Sequence, residues 1–289
     1  MQWLNAVIQG VLLGGLYALL AAGLSLMFGV MRIVNLAHGV LAIVAAYIGL
    51  VFVENVGISP FLAIVLVVPI MALVGYLLQW GLLNRAISKG GLAPLLVTFG
   101  LAVVLTQLLQ ERFTADTQAI QIGALGTDSI TISDNISIGL FPLMTFVVGV
   151  LVIAALQLFI SKAPLGRAMR ATSDDVDTVM LMGIDNRQVY ALSTALALAT
   201  VGLAGMFIGM RTQFSPTFGD AMLIFAFEAV IIGGLGSLWG TLAGGMVLGI
   251  AQTIGAQVNP SYGVLFGHLV FLAILAFRPT GLLPKAVTA

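Results

Sequence analysis

The sequence predicts an all-α, polytopic membrane protein whose residues 1–289 form a single transmembrane helix bundle of about 8–10 membrane segments. Hydrophobic residues make up 60% of the chain and charged residues only 8%, which is far from the composition of a soluble domain. The apolar residues also fall in long runs, several of which reach the roughly 20 residues that a helix needs to cross a bilayer. The runs lie at 5–28, 39–53, 60–83, 92–110, 139–160, 189–210, 221–236, 240–257 and 262–277.

Several classes of protein and site are excluded by what the sequence lacks. It has no cysteine, so disulfides, thiolate metal sites and thiol nucleophiles are ruled out. Its formal net charge is zero, so nucleic acid is not an expected partner. It has no G-x-x-x-x-G-K-[ST] loop for the phosphates of ATP and no H-E-x-x-H zinc motif. GLGS at 234–237 with His268 is a poor match to an intramembrane serine protease, so no enzyme is predicted.

The placement of the basic residues predicts which loops face the cytoplasm. No positive residue precedes the first run and no small-residue cleavage site follows it, so a cleaved signal peptide is not expected. With nine crossings, only Arg112 and Arg211 fall on one side. The positive-inside rule then makes 84–91, the loop 161–188 and the tail cytoplasmic. The basic residues on that side are Arg32, Arg85, Lys89, Lys162, Arg167, Arg170, Arg187, Arg278 and Lys285.

The same threading places the N-terminus outside and makes 111–138 the main extracytoplasmic loop. This loop contains four acidic residues, which either form part of a docking surface or are simply solvated. Small residues spaced four apart let two membrane helices approach closely, so we expect the glycine pairs of the apolar runs at helix–helix contacts. Those pairs are Gly10/Gly14, Gly205/Gly209, Gly240/Gly244 and Gly245/Gly249.

A charged segment stands out within the cytoplasmic loop 161–188, at TSDDVDTVMLMG (172–183). Thr172 and Asp175 fit the [ST]-x-x-[DE] pattern of a helix start, with Ser173 as a competing cap. Gly183 stands where a helix ends in the left-handed conformation. The predicted helix has about ten residues, which is too short to span a bilayer.

This short helix has an apolar face, because four of its residues recur at helical spacing. Such a face either docks into a groove of another protein or lies on lipid headgroups or on its own bundle. The residues that share it are Val176, Val179, Met180 and Gly183.

A few polar residues interrupt the apolar runs. A charge at the bilayer centre costs at least ~2.5–3.5 kcal/mol on insertion scales, so Glu228 either lines a translocation path or bonds within the bundle. Asn35 and His38 either line the same path or cap a helix break. Arg32 is expected to extend to the cytoplasmic interface, and His268 to donate a hydrogen bond between helices.

Four motifs identify a resemblance to a known family. The segment PLGRAMRATSDDVDTVMLMGI (164–184) resembles the cytoplasmic loop of LivH-type permeases of branched-chain amino acid ABC transporters. Matching segments lie at GGLYALLAAGLSLMFGVMRIVNLAHG (14–39), IIGGLGSLWGTLAGGMVLG (231–249) and RPTGLLP (278–284). Together they follow the family order over nearly the whole chain.

The resemblance implies ABC importer permease architecture and a permease subunit of a bacterial inner-membrane importer. A LivM-type second permease, two ABC ATPase subunits that bind ATP and magnesium, and a periplasmic substrate-binding protein would be its partners, with no cofactor on this chain. The implied cargo is branched-chain amino acids or related small amino acids, amides or urea.

In this family the short cytoplasmic helix docks on the ATPase, and its glycine corresponds to Gly183. The sequence departs from the EAA pattern, because Asp177-Thr178-Val179 stands where Glu-Ala-Ala is expected. The alternative class is a secondary transporter or channel, for which Glu228 is the only acidic candidate near the midplane. The residues assigned to coupling are Gly166, Arg167, Arg170, Asp174, Asp175, Asp177, Met180 and Gly183.

Overall fold

The computed structural model describes residues 2–133 and 136–283. Lys285, the last residue of the 278–284 motif and Asp134 of the outer loop lie outside the described residues. All nine apolar runs are helices, and eight of these are long enough to cross a membrane. The helices are α1 (Gln2–Met31), α2 (His38–Asn55), α3 (Pro60–Leu78), α4 (Asn84–Ile87), α5 (Leu92–Phe113), α6 (Leu140–Lys162), α7 (Pro164–Asp174), α8 (Val176–Leu181), α9 (Asn186–Arg211), α10 (Phe218–Gly233), α11 (Leu238–Val258) and α12 (Gly263–Phe277).

The run at 221–236 forms α10, whose 16 residues are too few to be counted with the eight. The run at 262–277 is counted because a 3-10 turn, Pro260–Tyr262, extends α12 to the 18-residue span Pro260–Phe277. A π-helical turn, Gln79–Leu83, joins α3 to α4 into one continuous rod, Pro60–Ile87. The residues at the start of α3 explain why the helix begins there. Ser59 accepts the amide of Leu62 and Pro60 occupies the first turn, which is where a capping hydroxyl and a proline each fit a helix.

Glycine determines how the central helices pack. A Cβ atom on Gly14 would overlap the backbone of α11 at Gly245 and Met246, and one on Gly249 would overlap the backbone of α1. Gly205 lies in the same way against Ala42 of α2, and the remaining pair lies between α10 and α11. The prediction that the four pairs mark helix–helix contacts is confirmed.

The connection between α1 and α2 turns back into the bundle. Arg32, just after α1, has a positive φ of 53°, and six residues later His38 Nε2 donates to the carbonyl oxygen of Leu20 at 2.8 Å. From the rise per residue of an α-helix, Leu20 lies about 16 Å along the axis before the end of α1. The first turn of α10 meets the first turn of α2, since a Cβ on Gly219 would lie 2.7 Å from Cα of Val40.

Outside the helices, the predicted loop 111–138 contains structure that the sequence argument missed. Its strands β1 (Ser129–Ser133) and β2 (Ile136–Gly139) pair antiparallel, which adds one short hairpin to a fold that is all-α as predicted. Gln118 and Phe214 also exchange two backbone hydrogen bonds of 2.8 and 2.9 Å. The outer loop is thereby tied to the connection between α9 and α10.

The described basic residues that were assigned to the cytoplasm gather at one end of the bundle. Arg32 Nη2 donates to the Ser173 carbonyl oxygen at 3.4 Å, and Asn84 Nδ2 donates to the Arg187 carbonyl oxygen at 3.2 Å. The backbone after Arg278 bonds to the end of α10. This arrangement agrees with the sidedness that the charges predict.

Candidate functional site

The first part of the site is α7, which lies across the end of the bundle that carries these basic residues. It begins with Pro164 in its first turn and crosses α6 closely, because a Cβ on Gly166 would collide with the backbone of Phe159 and Ile160. Met169 is fully buried, in a cluster with residues of α1, the π turn and α9. The helix is therefore anchored to the bundle, and Gly166 acts at this internal contact.

The start of α8 differs from the prediction. Thr172 is a buried residue of α7, and the cap of α8 is Asp175 instead of Thr172 or Ser173. Its Oδ1 accepts the amides of Asp177 and Thr178 at 3.1 Å each, and Oδ2 accepts the Thr178 hydroxyl at 2.5 Å. The predicted helix of ten residues is instead a six-residue helix, because residues 164–174 are already helical and the extended backbone at Asp175 separates the two.

The hydrogen bonds that Asp175 accepts also affect its titration. The hydroxyl of Thr178 and then the backbone amides at the start of α8 hold the pKa of the Asp175 carboxyl below its ordinary value. This carboxylate therefore stays charged at physiological pH and keeps capping α8.

The end of α8 confirms the prediction for Gly183, whose φ is +84°. Its amide donates to the Met180 carbonyl at 3.0 Å and the amide of Ile184 donates to Val179 at 3.3 Å. This pair of bonds is the Schellman arrangement, which favours glycine because other residues are strained at positive φ. Nothing lies within 4 Å of a Cβ built on Gly183, so the space beside it is open.

The apolar surface of α8 is not the face that the spacing predicted. Val179 points into the bundle, whereas Met180, Leu181 and Met182 are 52%, 89% and 74% exposed. Val176 is also exposed, at 39%. A surface of four apolar side chains therefore projects from the end of the bundle that carries the basic residues, and we call Val176, Met180, Leu181 and Met182 the α8 patch.

Two polar contacts connect this patch to membrane helices. Asn186, which is buried in the first turn of α9, donates from Nδ2 to the Val176 carbonyl oxygen at 3.1 Å. The bond from Arg32 to Ser173 connects α7 to the end of α1. The segment from Ser173 to Val176 is thus bonded to the end of α1 and to the start of α9.

Charged side chains surround the patch, and within the described residues none of them forms an ion pair. Arg167 Nη1 donates to the Lys162 carbonyl at 2.8 Å and Arg170 Nη2 donates to the Ser161 carbonyl at 3.2 Å. Asp174 and Asp177 are exposed. Of the predicted coupling residues, Gly166 is buried and the others are exposed.

The predicted path residues Asn35, His38 and Glu228 lie inside the bundle. Asn35 Oδ1 accepts the Ala37 amide at 3.0 Å, which helps to shape the start of α2, as does the His38 bond described above. Glu228 Oε1 lies 2.5 Å from Nδ1 of His268 on α12. These contacts match the structural alternatives for the three residues, and their role in a path stays a prediction.

Three further polar residues were not singled out from the sequence. The Tyr17 hydroxyl donates to Gln252 Oε1 at 2.6 Å, and Arg211 Nη1 is buried with no hydrogen-bond partner among the described residues. The signal that could have found them is the one used for Glu228, namely a polar residue inside an apolar run. Arg211 stands at the end of its run and was assigned only to the outer side.

Comparison with known proteins identifies one family over most of the chain. Residues 6–275 match the family described as branched-chain amino acid transport system / permease component. The chain is 28% identical to the high-affinity branched-chain amino acid transport system permease protein BraD of Pseudomonas aeruginosa, covering 98% of this chain and 96% of that protein. It is 26% identical to LivH of Salmonella typhimurium, covering 99% and 96%.

A third relative is LivM of Escherichia coli, which is 29% identical over 46% of this chain and 33% of that protein. The family match extends from the first turns of α1 into the last turn of α12 and so includes the interior residues and the α8 patch. The chain therefore belongs to the family of permease components of branched-chain amino acid transport systems.

Proposed function

We propose that this chain is the membrane-embedded permease subunit of an ATP-driven importer in a bacterial inner membrane, with branched-chain amino acids as its cargo. The names of its relatives support the cargo. A second permease of LivM type completes the pore, two separate ATPase subunits that bind ATP and magnesium dock at the cytoplasmic end, and a periplasmic binding protein delivers the substrate.

The observation that carries the proposal is the α8 patch. Leu181 and its neighbours are too exposed to stabilise the chain alone, and an exposed apolar surface rimmed by charges is typical of a protein interaction site. The patch is short and convex, so it fits a groove on an ATPase subunit. The surrounding charges, without ion pairs inside the described chain, are available to the partner.

The anchoring of α7 and α8 supplies the mechanism. ATP-driven movement of the docked subunit pulls on α8, and the Asn186 bond and the buried Met169 transmit that pull to α9 and α1. Because α1 packs backbone to backbone with α11 through glycine, α1 and α11 move as a unit. The cytoplasmic event thus opens or closes the interior that α1, α9, α10 and α11 surround.

The test uses the complex purified from native membranes and reconstituted in liposomes. Uptake of labelled L-leucine is measured with ATP and binding protein, with ADP in place of ATP, and with a protonophore. We expect uptake to need ATP and to survive the protonophore. Uptake that follows the proton gradient without ATP would support the secondary-transporter alternative.

A matched pair of variants then tests the docking role. Leu181→Asp places a charge in the centre of the patch and should lower ATP-driven uptake more than tenfold and release the ATPase subunits during purification. Val56→Asp changes an apolar residue of similar exposure beside the outer end of α2 and should leave both unchanged. Normal uptake with Leu181→Asp would contradict docking at α8.

A further inference from the structure

A basic pocket lies between the end of the rod Pro60–Ile87 and the start of α9. Its volume is about 490 Å³, which is within the roughly 300–1,000 Å³ of sites for small molecules. Among the described residues, its lining holds three cationic side chains and no acidic one. We call this cavity the rod pocket, and it is lined by Trp80, Asn84, Arg85, Ser88, Lys89 and Arg187.

A series of hydrogen bonds holds the two walls of the rod pocket together. The Thr194 hydroxyl of α9 donates to Gln79 Oε1 at 2.8 Å, and Gln79 Nε2 donates to Asn84 Oδ1 at 3.0 Å. Asn84 Nδ2 in turn donates to the Arg187 carbonyl oxygen at 3.2 Å. Both Gln79 and Thr194 are fully buried. The pocket is therefore a fixed feature of the fold and not a gap between two loose segments.

The positive charges of the rod pocket are not balanced within the described residues. No carboxylate oxygen of those residues lies within 4.0 Å of a side-chain nitrogen of Arg85, Lys89 or Arg187. Asp185, the acidic residue nearest to Arg187 in the sequence, accepts the Arg187 amide at 2.9 Å as the cap of α9 and does not line the pocket. A cleft lined by charges of one sign raises the local concentration of counter-ions, so this pocket favours an anion.

An apolar stripe along the exposed surface of α3 leads to the rod pocket. Leu73, Leu77 and Trp80 lie on one face of the helix, at spacings of four and three, and are 59%, 57% and 48% exposed. The stripe is about 10 Å long. The Trp80 ring stacks on Tyr76, with 6.1 Å between the centroids and 6° between the planes. Such rings are enriched where the hydrocarbon meets the headgroups, so the pocket lies at the level of lipid headgroups.

We propose that the rod pocket binds the phosphate headgroup of an anionic phospholipid from the leaflet at the basic end of the bundle. Arg85, Lys89 and Arg187 donate to its phosphate oxygens, because guanidinium and ammonium groups form charge-assisted hydrogen bonds with phosphate. One acyl chain lies along Leu73 and Leu77. Basic pockets between membrane helices are sites for such headgroups. This lipid site is independent of which solute the complex carries.

The competing occupant is an acidic surface of a docked protein, since the rod pocket and the α8 patch lie at the same end of the bundle. The apolar stripe favours the lipid. Leu77 lies about 12 Å along the rod from Arg85, towards the middle of the span. A protein docked beneath the membrane would not reach that far into the hydrocarbon, whereas an acyl chain attached to a bound phosphate would.

The test measures lipid binding to the purified and delipidated complex by native mass spectrometry, with the bound lipid assigned to the released permease chain. The probes are phosphatidylglycerol and phosphatidylethanolamine with identical acyl chains. We expect phosphatidylglycerol to bind about tenfold more tightly or better, because its headgroup has a net negative charge. Equal binding of the two lipids would overturn the inference, since a zwitterionic headgroup does not balance three cations.

A soluble headgroup separates a lipid site from a site for free phosphate. Glycerol 3-phosphate carries the phosphate without the acyl chains, so it should displace phosphatidylglycerol at least about tenfold more weakly than the lipid itself, because the packing on α3 is lost. Displacement at equal concentrations would assign the pocket to a soluble anion and would contradict the lipid site.

Variants of exposed residues place the lipid in the pocket. Arg85→Gln combined with Arg187→Gln should weaken phosphatidylglycerol binding about tenfold or more, and the corresponding double Lys variant, which keeps both charges, should recover part of it. The matched control combines Lys162→Gln with Arg278→Gln, which removes two charges at the same end but outside the pocket. The control should bind normally. An equal loss in the control would mean a diffuse attraction to surface charge and would refute a defined site.

Co-purification of the ATPase subunits separates the lipid from a docked protein. The Arg85→Gln, Arg187→Gln variant should keep these subunits, whereas Leu181→Asp should release them and leave phosphatidylglycerol binding unchanged. If the pocket variant loses the ATPase subunits but binds phosphatidylglycerol normally, the pocket is a protein contact and the lipid proposal fails.

Discussion

The long helices of this protein fall into two groups. They are all apolar enough to cross a bilayer, but they differ in how much of their surface is buried inside the chain. In α1, 83% of the most apolar stretch is buried inside the chain, and α9 has 72%. The corresponding values are 17% for α5 and 6% for the Pro260–Phe277 span that contains α12. All of these helices are apolar enough to span, so insertion and packing are separate properties.

This difference shows which contacts determine how the helices are arranged. The central helices α1, α2, α9, α10 and α11 approach backbone to backbone at glycines, and a buried hydrogen bond from Tyr17 to Gln252 joins α1 to α11. The peripheral helices present large apolar side chains such as Leu96, Val104 and Leu272 to their surroundings. Association inside a membrane has no hydrophobic drive and depends on such close packing and polar contacts.

The largest effect is expected at the contact between α1 and α11, where an added side chain should disrupt the packing of the central helices. Gly245→Val adds a branched side chain where a Cβ would already lie 2.6 Å from the Gly14 carbonyl oxygen and 2.9 Å from the Ala18 amide. Because these are backbone atoms, the helices must separate, at a cost of about 3 kcal/mol or more. We expect little folded protein by fluorescence-detected size exclusion. Gly100→Val of α5, with nothing within 4 Å, is the control and should be recovered normally.

A second pair of variants compares the loss of side-chain volume in a central helix with the same loss in a peripheral helix. Val201→Ala in α9 removes part of a fully buried side chain and should cost about 2 kcal/mol, because a cavity remains. Val104→Ala in α5, where the side chain is 55% exposed, should change the unfolding free energy by less than ~0.5 kcal/mol. Thermal unfolding in one detergent measures both. Equal shifts would mean that the peripheral helices are as tightly packed as the centre.

A third substitution tests a hydrogen bond between the peripheral helix α5 and the connection that follows α1. The Thr98 hydroxyl accepts the Leu36 amide at 3.1 Å, so Thr98→Val should cost about 1 kcal/mol by leaving that amide unpaired. Thr145→Val in α6 is the matched control, because its buried hydroxyl bonds only to its own helix at Phe141. A cost for Thr145→Val as large as that for Thr98→Val would refute the proposed tie.

The smallest expected effect is confined to α8, which lies outside both groups. Folding lowers the pKa of Asp175 below the ordinary 3.8, so its contribution to the cap is complete above about pH 3.8. The contribution is lost as the pH falls through the lower folded-state value. Hydrogen-exchange protection of the Asp177 and Thr178 amides should therefore drop only in that acidic range. Asp175→Asn, which cannot titrate, should show no such step.

Much of the fold could be predicted from the sequence because hydropathy and helix ends are local properties. The nine apolar runs became nine helices, the glycine pairs mark helix contacts, and Gly183 ends α8 at positive φ. The start of α8 could not be predicted. Thr172 fits a cap pattern, but the helix already formed from Pro164 places Thr172 inside it and leaves the cap to Asp175.

The sequence predicted the general position of the site but not which side chains form its surface, because a sequence pattern reports only local properties. The charges of 164–187 predicted an exposed segment outside the apolar helices, and Arg167, Asp174 and Asp177 are exposed. The spacing could not show that Val179 turns inwards while Leu181 turns outwards, because a six-residue helix is too short for periodicity to fix its orientation. The partner of Glu228, His268, lies 40 residues away in the sequence, and no local pattern reveals such a pairing.

The sequence by itself determined that the chain enters a membrane, which segments cross it, which end is basic and which family it belongs to. Only the tertiary structure decided which helices form the centre, that α2 begins inside the bundle, and that Tyr17 bonds to Gln252 and Glu228 to His268. The physical reason is that a lipid tail and a neighbouring helix are equally apolar, so hydropathy cannot distinguish them. Close backbone approach and the pairing of buried polar atoms make that distinction, and both exist only once the helices have packed.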